Sequence, residues 1–465
     1  MEIFQLKDLI QAIDGEFVGS SNLLIKGISI DSRTICKKDV YFAIKGRRYD
    51  GHDFIKEAVN KGASAIVYSC DNFKPFTHFL KFPAMIKTDD TLAALGKFAK
   101  YYRRRFKKLD ILGITGSNGK TTTKEILVSI LNQKGKTLSN KGNFNNRIGL
   151  PLSIFNLTSE YQYAIFEAGT SLYGEIAILS DILMPDVGVI TNIGFSHLEA
   201  FSSLEGIFKE KRDLFKNVKE NGYVIVNNDD KFLKTITKID IGPRRIITFA
   251  LDCQADVTAK NIKLFADQTV FDICFNGECL EVSIPVHAKF NVYNALAAAA
   301  CAISLGVSLK FIKAGIELFI PPRMRMETIS AKNGVILIND TYNANPSSMK
   351  NSIDAVLQSY PDKGINLVLG DMLELGNKTD KYHFELGKFI ADKKINSVNL
   401  FGDTIFNTKI GLGDKKNVFY SKNSEEILDS LKNTNVDKNS VFLFKGSRGM
   451  KLEEVFAKFY DFLER

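Results

Sequence analysis

Two patterns of apolar and polar positions alternate along this chain. Short, nearly unbroken apolar runs recur, and between them stand longer segments in which apolar residues return every three or four positions. The first pattern predicts strands buried on both faces, and the second predicts amphipathic helices. "VYFAIKG" and "ASAIVYS" read as strands on either side of a helical "DFIKEAVNKGA". "DTLAALGKFAKYYRRRF" reads as a helix opened by an Asp-Thr cap. From Leu109 onward, "LDILGITG", "YQYAIFEAG", "DVGVITNIG", "YVIVNNDD" and "RRIITFA" follow in a strand–helix alternation that predicts a parallel sheet. Residues 253–287 alternate apolar and polar between turn residues, which predicts a small antiparallel insert. "NVYNALAAAACAISLGV" then reads as a helix.

Pro321 and Pro322 break this pattern and mark a boundary. Beyond them "GVILIND", "INLVLGD", "SVNLFGD" and "SVFLFKGS" predict four more strands. The last helix presents Leu452, Val455, Phe456, Phe459, Phe462 and Leu463 at core-facing spacing. The expected fold is α/β in three domains, at residues 1–108, 109–322 and 323–465. A length of 465 residues accommodates them.

Composition narrows the picture. At 45% hydrophobic and 25% charged the chain is ordinary for a globular protein. The net charge of +9 suits an anionic ligand. The one dense basic run, Arg103, Arg104, Arg105, Lys107 and Lys108, reads as a solvated surface, and no nucleic-acid motif accompanies it. The expectation is no nucleic-acid partner. The six cysteines, among them Cys36, Cys70, Cys253 and Cys301, form no CxxC pair, and read as reduced thiols. The charged start "MEIFQLKDLI" is not a signal peptide, and no apolar run is long enough for a bilayer. A cytoplasmic monomer without membrane insertion is expected.

The chemistry starts at "GITGSNGKTTTKEIL". An apolar strand feeds Gly116, Ser117, Asn118, Gly119, Lys120, Thr121 and Thr122, and a helix follows. Glycines let the backbone turn and aim its N–H groups at phosphate, and the helix N-terminus adds partial positive charge. Lys120 has the reach for the β- and γ-phosphates, and the Thr121 hydroxyl suits magnesium. The stretch therefore predicts an ATP site. It is not the standard phosphate-loop string, because its glycines, Gly113, Gly116 and Gly119, fall three apart. Three further strand ends carry polar residues suited to the same crevice: Glu167, His197 and Asp340. Glu167 and His197 are candidate magnesium ligands. "KGNFNNRIGLP" offers Asn143, Asn145 and Asn146, as a turn or as a loop facing phosphate or substrate.

These stretches together resemble the Mur ligase superfamily, whose phosphate loop has this same glycine spacing. "ISIDSRT", "VYFAIKG" and "YDGHDFI" resemble its N-terminal UDP-substrate domain. "FEAGTSLYGEI", "TNIGFSHLEAF" and "FNVYNALAAA" resemble its central parallel-sheet ATPase domain. "RMRME", "NDTYNANPSS", "LGDMLELG" and "FKGSRGMKLEE" resemble its C-terminal Rossmann-like domain. Within the superfamily, "DTYNANP" and "KGSRGMKLE" most resemble the branch that joins D-alanyl-D-alanine to UDP-N-acetylmuramoyl-tripeptide through an acyl phosphate, in peptidoglycan synthesis. The MurE branch typically carries a histidine-containing version of "YNANP" and an Asn-Pro-Arg signature, and neither is found here. A folylpolyglutamate synthase is a further rival, and a phosphate-loop switch on nucleic acid a remote one.

The resemblance implies roles. Lys120 and the amides of Gly116 to Thr122 would bind phosphates. Thr121 and Glu167 would hold one magnesium ion, and His197 would help hold a second. Asn294 would contact adenine, and Arg325 and Asp340 would reach the nucleotide from the C-terminal domain. Ser32, Arg33, Asp50 and His52 would lie on the UDP-substrate, together with Asn143, Asn145 and Asn146. Lys211, in "FKEKRDLF", aligns with a lysine carried as a carbamate. Read from its own residues, it is a surface lysine on a charged helix.

Overall fold

The computed structural model describes residues 1–69, 83–415 and 417–465. Cys70 lies outside the described residues. Three large sheets organise the chain, beside a two-stranded antiparallel pair of Phe4–Gln5 with Leu24–Ile25. The first has five strands in the order Glu16–Val18, Ala84–Lys87, Ala65–Tyr68, Asp39–Phe42, Gly27–Ser29, all parallel except at its first pair.

The second sheet has nine strands. Asp110–Thr115 lies at its heart, paired in parallel with Tyr163–Glu167 on one side and Val187–Ile190 on the other. Of its six residues only Asp110 escapes full burial, the signature of a strand covered on both faces. Because its two neighbours run parallel to it, the loops after all three strands leave at one edge. Glu167 stands opposite Ile114, and Ile190 opposite Thr115. Parallel pairing thus brings the glycine loop, Glu167 and the segment leading to His197 together, though they lie far apart in sequence. The helix Lys120–Leu131 follows the loop and buries Ile126, Leu127, Ile130 and Leu131 in a core shared with the alanine-rich helix Lys289–Ser304.

Residues 253–287 depart from expectation in one respect. The strands Val257–Leu264, Thr269–Phe275 and Glu278–Ile284 are antiparallel to each other, but they extend the nine-stranded sheet and do not form a separate insert. The reduced-thiol reading is also corrected, since Cys274 and Cys279 are joined by a disulfide. They are directly opposed across a hairpin closed by Asn276-Gly277, both at positive φ. An Asn-Gly pair between strand runs is the sequence signal for that turn. Cys36, Cys253 and Cys301 are free. Arg104, Arg105, Lys107 and Lys108 are exposed, as a solvated surface requires, whereas Arg103 departs from that reading: it is buried and donates to the Met184 carbonyl at 2.6 Å.

The third sheet runs Glu327–Ser330, Ile336–Asn339, Ser440–Lys445, Gly364–Gly370, Ser397–Phe401, Val418–Ser421, parallel except at its first pair. The helix Leu452–Glu464 covers it with Leu452, Val455, Phe456, Phe459 and Leu463. Phe462, expected on that face, is 40% exposed. A second core cluster joins this domain to the central one through Leu198, Phe201, Ile207 and Ala288.

His287 lies beside that junction, fully buried against the Tyr360 ring, and its Nε2 has no hydrogen-bond partner. Burial pushes its imidazole down to about 4, against the opposing pull of Asp340. Between the ordinary value of 6.5 and that figure the unfolded chain takes up a proton that the folded chain refuses. Stability therefore falls as the pH falls through this window. Urea unfolding of the wild type should lose about 2 kcal/mol more between pH 7 and pH 5 than His287→Gln loses. An equal loss in both proteins would acquit this histidine.

Candidate active site

The glycine loop is built for close approach. Gly116 and Gly119 both have positive φ. A Cβ on Gly116 would collide with the Thr191 hydroxyl, and one on Gly119 with the Asn294 side chain. Only glycine fits either place. The loop is pinned on its inner side: the Asn118 amide donates to Asn192 Oδ1 at 3.0 Å, and the Ser117 hydroxyl donates to the Gly194 carbonyl at 2.9 Å. Lys120 Nζ donates to the Gly116 carbonyl at 2.8 Å, which holds the ammonium over the loop. Desolvation pushes the Lys120 ammonium below the usual lysine range, opposed by Glu167.

Thr121 and Glu167 form the oxygen-rich part of the site. The Thr121 hydroxyl donates to Glu167 Oε2 at 2.8 Å, and Asn145 Nδ2 donates to Oε1 at 2.8 Å. Buried Asn140 grips the Glu167 backbone on both sides, accepting from its N–H at 2.9 Å and donating to its carbonyl at 3.0 Å. Buried Lys124 in turn donates to the Asn140 carbonyl at 2.7 Å. A hydroxyl beside a carboxylate is a donor set that fits magnesium, which usually takes one or two protein oxygens and completes its shell with water and phosphate. Among the described residues, no group of three or more His, Cys, Asp or Glu side chains is placed to hold a metal ion by itself.

The C-terminal domain reaches into this site. Arg325 Nη2 donates to the Thr121 hydroxyl at 2.9 Å while its guanidinium lies 4.0 Å from the Tyr342 ring. Asn345 Nδ2 donates to Asn118 Oδ1 at 2.7 Å. His197 Nδ1 meets Glu374 Oε2 at 2.6 Å, and this pairing holds the Glu374 carboxyl below the usual range. Asp340, expected on the nucleotide, is bound within its own domain. Its Oδ2 accepts from Ser352 and from buried Lys445, both at 2.6 Å, and its Oδ1 accepts from the Met326 amide at 3.3 Å. It anchors the turn that carries Arg325.

Lys211 overturns the surface-lysine reading. It is 2% exposed at the end of the helix Leu204–Lys211, and among the described residues it forms no ion pair. Burial and the nearby Lys120 charge pull its amine down to about 7, against Glu210 and Glu167. Such a lysine is substantially neutral at physiological pH.

Three family models match in succession: "Mur ligase family, catalytic domain" at residues 24–103, "Mur ligase middle domain" at 114–302, and "Mur ligase, glutamate ligase domain" at 324–448. A Bacillus subtilis UDP-N-acetylmuramoyl-tripeptide–D-alanyl-D-alanine ligase is 35% identical over 439 residues, spanning 93% of this chain and 92% of that protein. This chain belongs to the Mur ligase family. Among solved Mur ligases, MurF from Acinetobacter baumannii superposes with a TM-score of 0.91 at 32% identity over 99% of each chain. MurF from Thermotoga maritima in complex with ADP gives 0.83 at 29% identity, over 94% of this chain and 98% of that one.

The remaining expected residues of the Mur ligase pattern fall in several places. Asn294 is buried beside the loop, with Thr123 Oγ1 at 3.4 Å. Thr122 is buried in the first turn of the loop helix. Asn146 Oδ1 accepts from the Ile148 amide at 3.1 Å and the Gly149 amide at 2.8 Å, just ahead of the helix Gly149–Ile154, and Asn143 is exposed. In the first domain Asp50 caps the turn Gly51–Phe54 and accepts from the His52 ring at 2.6 Å, and His52 Nε2 accepts from Ser69 at 3.0 Å. Ser32 is buried on Glu57 at 2.8 Å, and Arg33 is exposed and paired with Asp31 at 2.8 Å. Asn140, Lys124, Tyr342, Lys445 and Glu374 were given no role from the sequence, although Tyr342, Glu374 and Lys445 lie in the stretches "NDTYNANPSS", "LGDMLELG" and "FKGSRGMKLEE" that carry the resemblance. The contacts that tie them to the site run over long separations, 16 positions for Lys124 to Asn140, 27 for Asn140 to Glu167 and 105 for Lys445 to Asp340. Among the described residues, no helix is long and apolar enough to cross a membrane.

Proposed function

We propose that this chain is the ATP-dependent ligase that joins D-alanyl-D-alanine to UDP-N-acetylmuramoyl-tripeptide, working as a cytoplasmic monomer with boundaries between its domains near residues 108 and 322. The observation that carries the reading is the meeting of three elements at one sheet edge. They are the glycine loop with Lys120, the Thr121–Glu167 pair at 2.8 Å, and Arg325 at 2.9 Å from Thr121, delivered by another domain. The relatives' names supply the substrate pair, and similarity over nearly the whole chain includes the substrate domains.

The reaction must make a poor electrophile reactive. Attack of the peptide carboxylate oxygen on the γ-phosphorus breaks the bond to ADP and leaves an acyl phosphate. The dipeptide amine then attacks the acyl carbon, and phosphate departs with the electron pair while the amine loses a proton. The first step brings one anion onto another, so catalysis is chiefly positioning and charge neutralisation. Lys120 and the amides of Gly116 to Thr122 would cradle the phosphates. Arg325, stiffened by Tyr342 and anchored through Asp340, would add a cation from the opposite side. Thr121, Glu167 and His197 would hold magnesium, which supplies further charge neutralisation to the phosphoryl group. Lys211, buried near Lys120 and pulled down to about 7, is suited to react with carbon dioxide through its neutral form, its amine forming a carbamate with release of a proton. The anion so formed would be a further magnesium ligand.

Phosphate release from ATP should require both UDP-N-acetylmuramoyl-tripeptide and D-alanyl-D-alanine. Single amino acids, polynucleotide or no acceptor should leave it at background. Release that ignores the dipeptide would overturn the assignment and direct testing to the MurE and folate substrates.

A further inference from the structure

Two loops from different domains are clamped together at His197. Both His197 and Glu374 adopt the left-handed conformation, with φ of 51° and 64°. Such conformations cost free energy in non-glycine residues and persist where the surroundings enforce them. Around the 2.6 Å pair, the Glu199 amide donates to the Glu374 carbonyl at 3.2 Å, and Lys378 Nζ donates to the Ser202 carbonyl at 3.0 Å. Gly376 comes so near that a Cβ on it would stand 3.2 Å from Glu199 Cα. Leu375, 2% exposed, shares a core with Leu198 and Phe201. The clamp is therefore built from backbone, charge and apolar contacts, all between residues 197–202 and 374–378.

An imidazole whose Nδ1–H is held by a carboxylate has a set tautomer and ring orientation, with Nε2 left as the electron-pair donor. Metal-bound histidines commonly have such a partner. We propose that Glu374 is a positioning residue: delivered by the C-terminal domain, it fixes the tautomer and orientation of His197, so that the histidine is ready for the nucleotide's magnesium only when that domain is docked. The proposal rests on the ligase reading for the role of His197. It adds that one member of the central site is completed from another domain.

The test labels histidine with nitrogen-15 in the full chain, which has five histidines, and assigns His197 by its loss in His197→Gln. At a pH high enough to keep the ring neutral, and without nucleotide or metal, wild-type His197 should show its proton on Nδ1 and an unprotonated Nε2. Glu374→Ala should average the two. Glu374→Gln, which keeps an acceptor oxygen, should restore the split pattern. The Glu374 side chain is 56% exposed, so the variants should fold, and a melting curve checks this. With a non-hydrolysable ATP analogue and UDP-tripeptide bound, Mn2+ affinity and kcat should each fall ~10- to 100-fold in Glu374→Ala, with KM for the dipeptide unchanged. An unaltered His197 pattern together with unaltered Mn2+ affinity would overturn the proposal. The nitrogen readout needs no substrate, so a wild type that failed the ligase assay would sink the ligase reading separately.

Discussion

Lys120→Ala is expected to lower the ligase rate by at least ~10²–10³-fold while leaving the fold intact, the loss typical of removing one preorganised charge partner from a reacting centre. The physical reason is local. The Lys120 ammonium is carried on the first turn of the loop helix and is held by a single bond to the Gly116 carbonyl at 2.8 Å. Its own desolvation weakens the charged form, and the Glu167 charge opposes that. A cation kept in such a place is poised to gain most when phosphate arrives. The substitution removes one hydrogen bond and no core packing, since the apolar face of the helix, Ile126, Leu127, Ile130 and Leu131, lies further along. Steady-state phosphate release measures the loss, and circular dichroism melting checks the fold. A variant with near-normal turnover and an unchanged melt would remove the loop lysine from the mechanism.

Lys211→Ala is expected to cost on the order of 10²-fold in rate, and the wild type alone should depend on dissolved carbon dioxide. Carbamylation needs the neutral amine, and an ordinary lysine with a pKa of ~10.4 offers almost none of it at pH 7. Here the amine is pulled down to about 7 by burial and by Lys120. The neutral fraction rises with pH through that value, and carbamate formation rises with it. Enzyme degassed of carbon dioxide should lose activity and regain it on addition of bicarbonate, and more bicarbonate should be needed at pH 6.5 than at pH 8. Lys211→Ala should be indifferent to bicarbonate. If it keeps the wild-type rate, the carbamate has no place in this site.

The readability of this site divides along the range of the interactions that make it. The phosphate loop was legible because strand, glycines, lysine and helix are contiguous, and each position has a local physical reason: positive φ at Gly116 and Gly119, and a free helix N-terminus at Lys120. Glu167 and His197 were legible as polar residues at strand ends. Their partners were not. Asn140 holds Glu167 from 27 positions away, and nothing in the composition of "LSNKG" hints at it. Asp340 was legible as a site residue, yet its carboxylate is taken up by Lys445 and Ser352. Lys211 shows the limit most directly. The same lysine on the same charged helix is either a solvated surface residue or a buried amine pulled down to about 7, and burial together with the distant Lys120 charge decides which.

What this sequence determined by itself is what short-range sterics and periodicity govern. That covers the α/β alternation, the glycine loop opening a helix, the break at Pro321 and Pro322, and the Asn-Gly turn that closes the Cys274–Cys279 hairpin. What only the tertiary structure decided is the set of contacts between groups far apart along the chain: Arg325 on Thr121, Glu374 on His197, and the burial that sets the charge of Lys211 and His287. The division is physical. Backbone conformation responds to neighbouring residues, whereas desolvation and charge pairing depend on which distant surfaces the packed core brings together.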